Sequence, residues 1–154
     1  MKHFLLASFA IAGLAATAAA QAGRAPPADT IRMRQANYKQ MAGAMKGIND
    51  QLRSESLSLP DVRRHSALIA RHAVQVLNWF PHGTGPEAGV RTRAKAEIWS
   101  DPSGFRTAGA RLLVTARTMD AAARRGDLPA IRAAMPRLQS ACGGCHEAYR
   151  GPDR

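Results

Sequence analysis

The chain has 154 residues, two cysteines and a formal net charge of +11. That length supports one domain of ordinary size, and two cysteines exclude a disulfide-stapled framework. Aromatic residues are only 5% of the chain and its arginines and lysines are scattered without aromatic interleaving, which argues against a nucleic-acid surface.

Alanine and leucine are abundant, and almost no stretch alternates apolar and polar residues for long enough to make a strand. The expected class is therefore all-α. Met1-Lys2-His3 is a short basic start, Phe4 to Leu14 an apolar run of signal-peptide length, and Ala18-Ala19-Ala20 a small-residue cleavage site. We expect residues 1–20 to be a cleaved secretory signal and 21–28 a flexible leader ending in Pro26-Pro27. The domain then spans 29–150. The apolar run is too short for a permanent membrane anchor, and no later segment approaches the roughly 20 apolar residues that span a bilayer.

Four helices follow from residues recurring at steps of three and four. The first carries Ile31, Arg34, Tyr38, Met41, Met45, Ile48 and Leu52 on one stripe, with Asp29 or Thr30 as its expected N-cap. The second runs from Pro60 or Asp61 to about Phe80, with Val62, Ile69, Ala73, Val76 and Phe80 inward, and stops at Pro81-His82-Gly83-Thr84-Gly85-Pro86. A long connection to Ser100 must pack against something; Ile98 and Trp99 are its expected anchors. The third helix begins after Ser100-Asp101-Pro102, buries Phe105, Leu112, Ala116, Met119 and Ala123, and ends at Arg125-Gly126-Asp127.

The fourth helix carries Leu128, Ile131, Met135, Leu138, Cys142, Cys145 and Tyr149 at the same steps, so its apolar stripe runs into the two cysteines. Pro136 removes a backbone hydrogen bond inside it, and a kink or break is expected near Met135. His65 and His72, seven apart on the second helix, are expected at an exposed or interfacial position. Trp79 is expected as a packing or interface residue rather than a redox relay, and its place beside Phe80 points to the bundle edge.

Cys142-Gly143-Gly144-Cys145-His146 is a CxxCH run, the attachment signature of c-type haem. Two thiols three apart share a helix face, where each forms a thioether to one vinyl group, and the adjacent imidazole turns to the iron. Gly143 and Gly144 carry no Cβ, so the porphyrin can lie close to the backbone. A zinc site needs about four ligands, and no second CxxC or helical His pair stands near this one. A thioredoxin-like dithiol would follow a strand, and nothing upstream reads as βαβ. The haem is expected inside the bundle as part of its core. Because haem is joined to CxxCH on the far side of the bacterial inner membrane, motif and export signal predict one compartment, the periplasm.

Together these residues resemble the cytochromes c′ and their low-spin relatives, bacterial monohaem antiparallel four-helix bundles. The resemblance spans the mature chain. It rests on Arg34-Gln35 with Tyr38 and Met41, Phe80 with Gly83-Thr84-Gly85-Pro86, Glu97-Ile98-Trp99-Ser100-Asp101 with Phe105, and the terminal Cys142-Gly143-Gly144-Cys145-His146-Glu147-Ala148-Tyr149-Arg150. It implies one covalent haem c held by Cys142 and Cys145, with His146 as the iron's ligand. Arg34 matches an arginine that pairs with a haem propionate, Gln35 assists it, and Arg150 matches a basic residue near the haem edge. Tyr38 takes the position that decides the sixth coordination site, where low-spin relatives have a ligating methionine and five-coordinate members leucine, phenylalanine or tyrosine.

The resemblance thus implies a five-coordinate, high-spin iron under Tyr38. Met41 and Met45 share that stripe, and either fills gaps in the core or reaches the iron as a sixth ligand. Two functions are compatible: electron transfer with an acidic redox partner, or binding of NO or CO at an open iron. A peroxidase needs a distal acid–base residue, and no histidine or carboxylate falls on the distal stripe. The resemblance also implies a homodimer through the first two helices.

Overall fold

The computed structural model describes residues 25–152. The expected signal peptide and residues 21–24 of the expected leader lie outside the described residues. Five α-helices follow: α1 (Pro27–Arg53), α2 (Leu59–Gln75), the short α3 (Glu97–Ser100), α4 (Pro102–Arg125) and α5 (Leu128–Tyr149). The four long ones form the antiparallel bundle. Contacts between α2 and α4 show its register: Ser66 Oγ donates to Asp120 Oδ1 (3.3 Å), Arg63 Nε donates to the Ala123 carbonyl (3.0 Å), and Leu77, just past α2, packs on Gly109.

The helix ends follow from local chemistry. The first helix starts earlier than the cap signal indicated. Pro26 is the N-cap and Pro27 the first helical residue, whose fixed φ suits that position. Asp29 instead lies in the first turn, where its charge favours the helix N-terminus and its carboxylate takes a hydrogen bond from Arg32. The other caps are side chains: Ser58 accepts from Asp61 N, Asp101 from Gly104 N and Asp127 from Ala130 N. Gly126, at φ 70°, closes α4 in the left-handed conformation that favours glycine.

Three expectations are corrected. The second helix does not stay α-helical to Phe80 but tightens after Gln75 into a 3₁₀ turn, Val76–Trp79. Of the kink or break expected near Met135, the break does not occur: α5 continues through Pro136, which sits on the exposed face, where water can solvate the carbonyl that loses its partner. Trp79 is not at the bundle edge: it is 3% exposed, edge-on to Tyr38 (5.3 Å between ring centres) and to His72 (5.5 Å). Turning the chain into a 3₁₀ helix one turn early swings this indole inward.

Buried side chains form two cores. The long one fills the bundle with Ile48, Val62, Ile69, Met119, Ile131 and Leu138 among others. A small one, Ile98, Phe105 and Tyr149, closes one end beneath the connection between α2 and α4. Ile98 and Trp99 anchor that connection as expected, Trp99 by donating from Nε1 to the Phe80 carbonyl (3.0 Å). No helix of the described residues is long and apolar enough to cross a membrane.

Candidate functional site

The last two turns of α5 bring the CxxCH residues to the seam between the two cores. Cys142 packs against the long core and Cys145 against the small one, while Phe80 touches both. One helix face with thiols three apart is thus divided between two apolar walls. Burial pushes both thiols up from their ordinary pKa, and at Cys145 the neighbouring Cys142 adds to the shift. They are held as neutral thiols.

Gly143 and Gly144 face outward, and a Cβ built on either meets nothing within 4 Å. Beside them a cavity of about 200 Å³ opens between α4 and α5, lined by Gly104, Thr107, Ala108, Arg111, Ala141, Gly144 and Cys145. His146 is exposed, and its pKa is lowered by partial desolvation and then by the charges of Arg150 and Arg93. A lowered pKa keeps the imidazole neutral, the state in which it can ligate a metal.

Tyr38 of α1 stands at the same level. At the opposite end of the bundle Arg132 of α5 donates to the Leu52 carbonyl of α1 (3.0 Å), and going from 52 back to 38 and from 132 on to 146 covers about 21 Å along each antiparallel helix. The phenol ring is packed by Trp79 and by Phe80 (6.3 Å), and burial raises its pKa, with Cys145 the next cause. It is therefore a neutral phenol throughout the physiological range. Met41, one turn on, is 8% exposed within the long core, and Met45 packs against that core half-buried.

Arg34 is 2% exposed. Its guanidinium donates to Thr84 Oγ1 (3.0 Å), the Thr84 carbonyl (2.7 Å) and Thr92 Oγ1 (2.8 Å), and lies 4.6 Å from the centre of the Phe80 ring. Burial lowers its pKa, opposed by Tyr38 and Glu87. All three hydrogen-bond partners are neutral oxygens, which use three of five N–H groups and leave the charge without a hydrogen-bonded carboxylate. Such a buried cation is matched to an added anion such as a carboxylate. Gln35 Nε2 donates to the Arg91 carbonyl (3.0 Å). Arg150 follows α5 and pairs with Ala94 in an isolated antiparallel bridge.

The sequence-expected residues are thus assembled at one end of the bundle. Thiols, neutral imidazole and buried guanidinium match the vinyl groups, iron and propionate of a haem, so the residues present fit that group, whereas Gly143 and Gly144 face outward rather than toward the thiols' face. His65 and His72 do not join them: His65 lies against Gly47 of α1, and His72 shares a hydrogen bond with Gln40 (3.1 Å). Sequence reasoning missed Thr84, Thr92 and Asp101. Thr84 sits in the Gly83-Thr84-Gly85-Pro86 turn, and a threonine between two glycines was the available signal. Asp101, read only as a cap, also accepts a hydrogen bond from Tyr149 (3.0 Å) and so ties the end of α5 to the start of α4.

Comparison with known proteins bears on this geometry. The family profile described as Cytochrome C' matches residues 29–150. Cytochrome c' of Rhodospirillum rubrum is 33% identical over 152 residues, which are 97% of this chain and 99% of that one. Among solved structures, a cytochrome c' with an unusual ligand-controlled dimer dissociation matches with a TM-score of 0.79 and 26% identity, over 84% of this chain and 100% of that one. The nitric oxide complex of a point mutant of cytochrome c prime from Alcaligenes xylosoxidans matches with a TM-score of 0.74 and 25% identity, over 83% and 98% of the two chains.

Proposed function

Since the chain belongs to the cytochrome c′ family, whose cofactor is covalently attached haem c, we propose that it is a periplasmic electron carrier with a five-coordinate iron. Cys142 and Cys145 anchor the porphyrin and His146 is the iron's protein ligand. Arg34, with Gln35 beside it, receives a propionate, and Arg150 lies near the porphyrin edge. When bound, the haem supplies an iron that takes up and gives back one electron.

The observation that carries the reading is the state of Tyr38. It is partly buried, a neutral phenol packed by the Trp79 and Phe80 rings, so it fills space over the distal side without offering a phenolate. Met41 is occupied in the long core, which supports an iron with no side chain in its sixth position. The inward stripe of α1, Ile31, Arg34, Tyr38, Met41 and Met45, carries neither a histidine nor a carboxylate, which favours a carrier over a peroxidase-type enzyme. A homodimer through α1 and α2, with export before haem attachment, completes the proposal.

A second reading is binding of NO or CO. A diatomic molecule is small enough for the space an unligated distal side leaves, and a related protein has been solved as its nitric oxide complex. Potentiometric titration of the matured protein separates the two. Reversible one-electron reduction in the absence of gas, with electron exchange retained when NO is present, supports the carrier. A protein that releases no electron once NO has bound is a gas-binding protein first.

A further inference from the structure

The Tyr38 hydroxyl has no hydrogen-bond partner among the described residues, so packing alone holds the phenol in place. Two rings meet it: Trp79 edge-on, at 5.3 Å between centres and 89° between planes, and Phe80 tilted at 6.3 Å. Phe80 is engaged elsewhere as well, under the Arg34 guanidinium (4.6 Å) and edge-on to Trp99 (6.2 Å) and Phe105 (5.1 Å). Trp79 has no such second task. Among the described residues it makes no ring contact, cation–π contact or hydrogen bond with any residue assigned to the haem other than Tyr38.

The indole is itself held. Its other ring contact is His72, at 5.5 Å and 69°, whose Nε2 shares a 3.1 Å hydrogen bond with Oε1 of Gln40, two residues past Tyr38 on α1. Tyr38, Trp79, His72 and Gln40 thus form a closed circuit of contacts that leaves α1, crosses to the end of α2 and returns to α1. An edge-to-face pair needs its angle as well as its distance. An indole 3% exposed between a phenol and an imidazole therefore has little room to turn, and it fixes the phenol it meets. The 3₁₀ turn Val76–Trp79 is what brings the indole to this position.

We propose that Trp79 is the positioning residue of the distal side: packed edge-on against Tyr38, it keeps the phenol over the iron's open position and so sets how fast a diatomic ligand binds there. The proposal rests on the five-coordinate reading and names what governs access to that position. A ligand reaches the iron only when the phenol swings aside, and with no hydrogen bond to break, the cost of that swing is the loss of its ring contacts. Of those contacts, the one with Trp79 belongs to Tyr38 without also serving Arg34 or the small core. His72 acts one step further out, as the brace behind the indole.

The test is the rate of CO binding to the reduced, matured protein, read by flash photolysis, beside the absorption spectrum of the oxidised form. Trp79→Leu removes the ring edge and is expected to bind CO about tenfold faster, the scale of one lost edge-to-face pair. Trp79→Phe restores an edge and should return the rate most of the way to wild type. Tyr38→Ala should be faster still, and the double variant Tyr38→Ala, Trp79→Leu no faster than Tyr38→Ala alone, because Trp79 acts only through the phenol. Gains that multiply in the double variant would overturn the proposal. So would a folded Trp79→Leu that keeps the wild-type rate, or one whose oxidised spectrum turns low-spin, since Trp79 would then be holding a side chain off the iron rather than placing Tyr38. If Trp79→Leu does not fold, His72→Ala takes its place: it removes only the outer brace and must speed CO binding in the wild-type background but not beside Tyr38→Ala, and an unchanged rate overturns the proposal. A wild type and a Tyr38→Ala protein that both bind no CO would overturn the five-coordinate reading itself.

Discussion

The two ends of this bundle are closed by different means. At the far end Ile48, Val62, Met119 and Ile131, all fully buried, meet through side-chain packing, and hydrogen bonds from Arg63 to the Ala123 carbonyl, from Ser66 to Asp120 and from Arg132 to the Leu52 carbonyl tie one helix to another. At the site end the apolar core is small, and the chain is held by hydrogen bonds from Arg34 to Thr84 and Thr92, from Tyr149 to Asp101 and from Trp99 to the Phe80 carbonyl. Packing is non-directional and tolerates adjustment, whereas hydrogen bonds fix distances and angles. The directional end is the one that carries the thiols, the imidazole and the phenol. There the bonds join loops to helix ends, whereas at the far end they join helix to helix beside the larger apolar core.

That contrast can be broken from either side. The largest effect is expected from His146→Ala, which removes the iron's proposed protein ligand but touches no buried contact of the long core. The visible spectrum of the native iron site should be lost while helical circular dichroism persists; an unchanged spectrum would refute the assignment. Ile48→Ala should act the other way, lowering stability by about 2–5 kcal/mol in chemical denaturation with the spectrum of the folded protein unaltered. Thr84→Val, at a 3% exposed site, leaves Arg34 and the Pro81 carbonyl without their hydroxyl partner. It should cost about 1–3 kcal/mol and also shift the haem spectrum, which a purely structural loop would not do. Asp127→Ala, which removes the cap of α5 at the far end, should cost about 1 kcal/mol and leave the spectrum alone.

A pH effect sharpens the comparison further. The Gly104 N–H, then the Tyr149 hydroxyl and Ser103, hold the Asp101 carboxyl below the usual carboxylate range. Its folded pKa is thus lower than its unfolded one, so the stability it contributes is complete above the unfolded value and lost as pH falls through the folded one. Acid should therefore loosen the corner of α3, α4 and Tyr149 first. Near-ultraviolet circular dichroism should show an acid transition in the wild type that is absent from Asp101→Asn.

The same division explains what was legible in the sequence. Steps of three and four name the buried residues of the long core almost without error, because packing along a helix has a period: Ile48, Ile69, Leu112, Met119 and Leu138 all fall inside. The CxxCH run is equally plain, since its chemistry needs neighbours in sequence. The loop bonds are not periodic. Arg34 could be placed at the site, but its partners at Thr84 and Thr92 lie 50 and 58 residues away in a segment without repeat. Trp79 was misplaced for a related reason, because a helix that tightens into a 3₁₀ turn changes its residues per turn and rotates everything after it.

The account turns on a partly buried, neutral Tyr38 covering an iron that no side chain closes. The most direct measurement is the absorption spectrum of the matured protein, oxidised and reduced, before and after CO. A high-spin spectrum that changes on adding CO to the reduced protein is the predicted result; a sharp low-spin α-band that CO leaves untouched would mean that Met41, Met45 or another side chain binds the iron, and would contradict it.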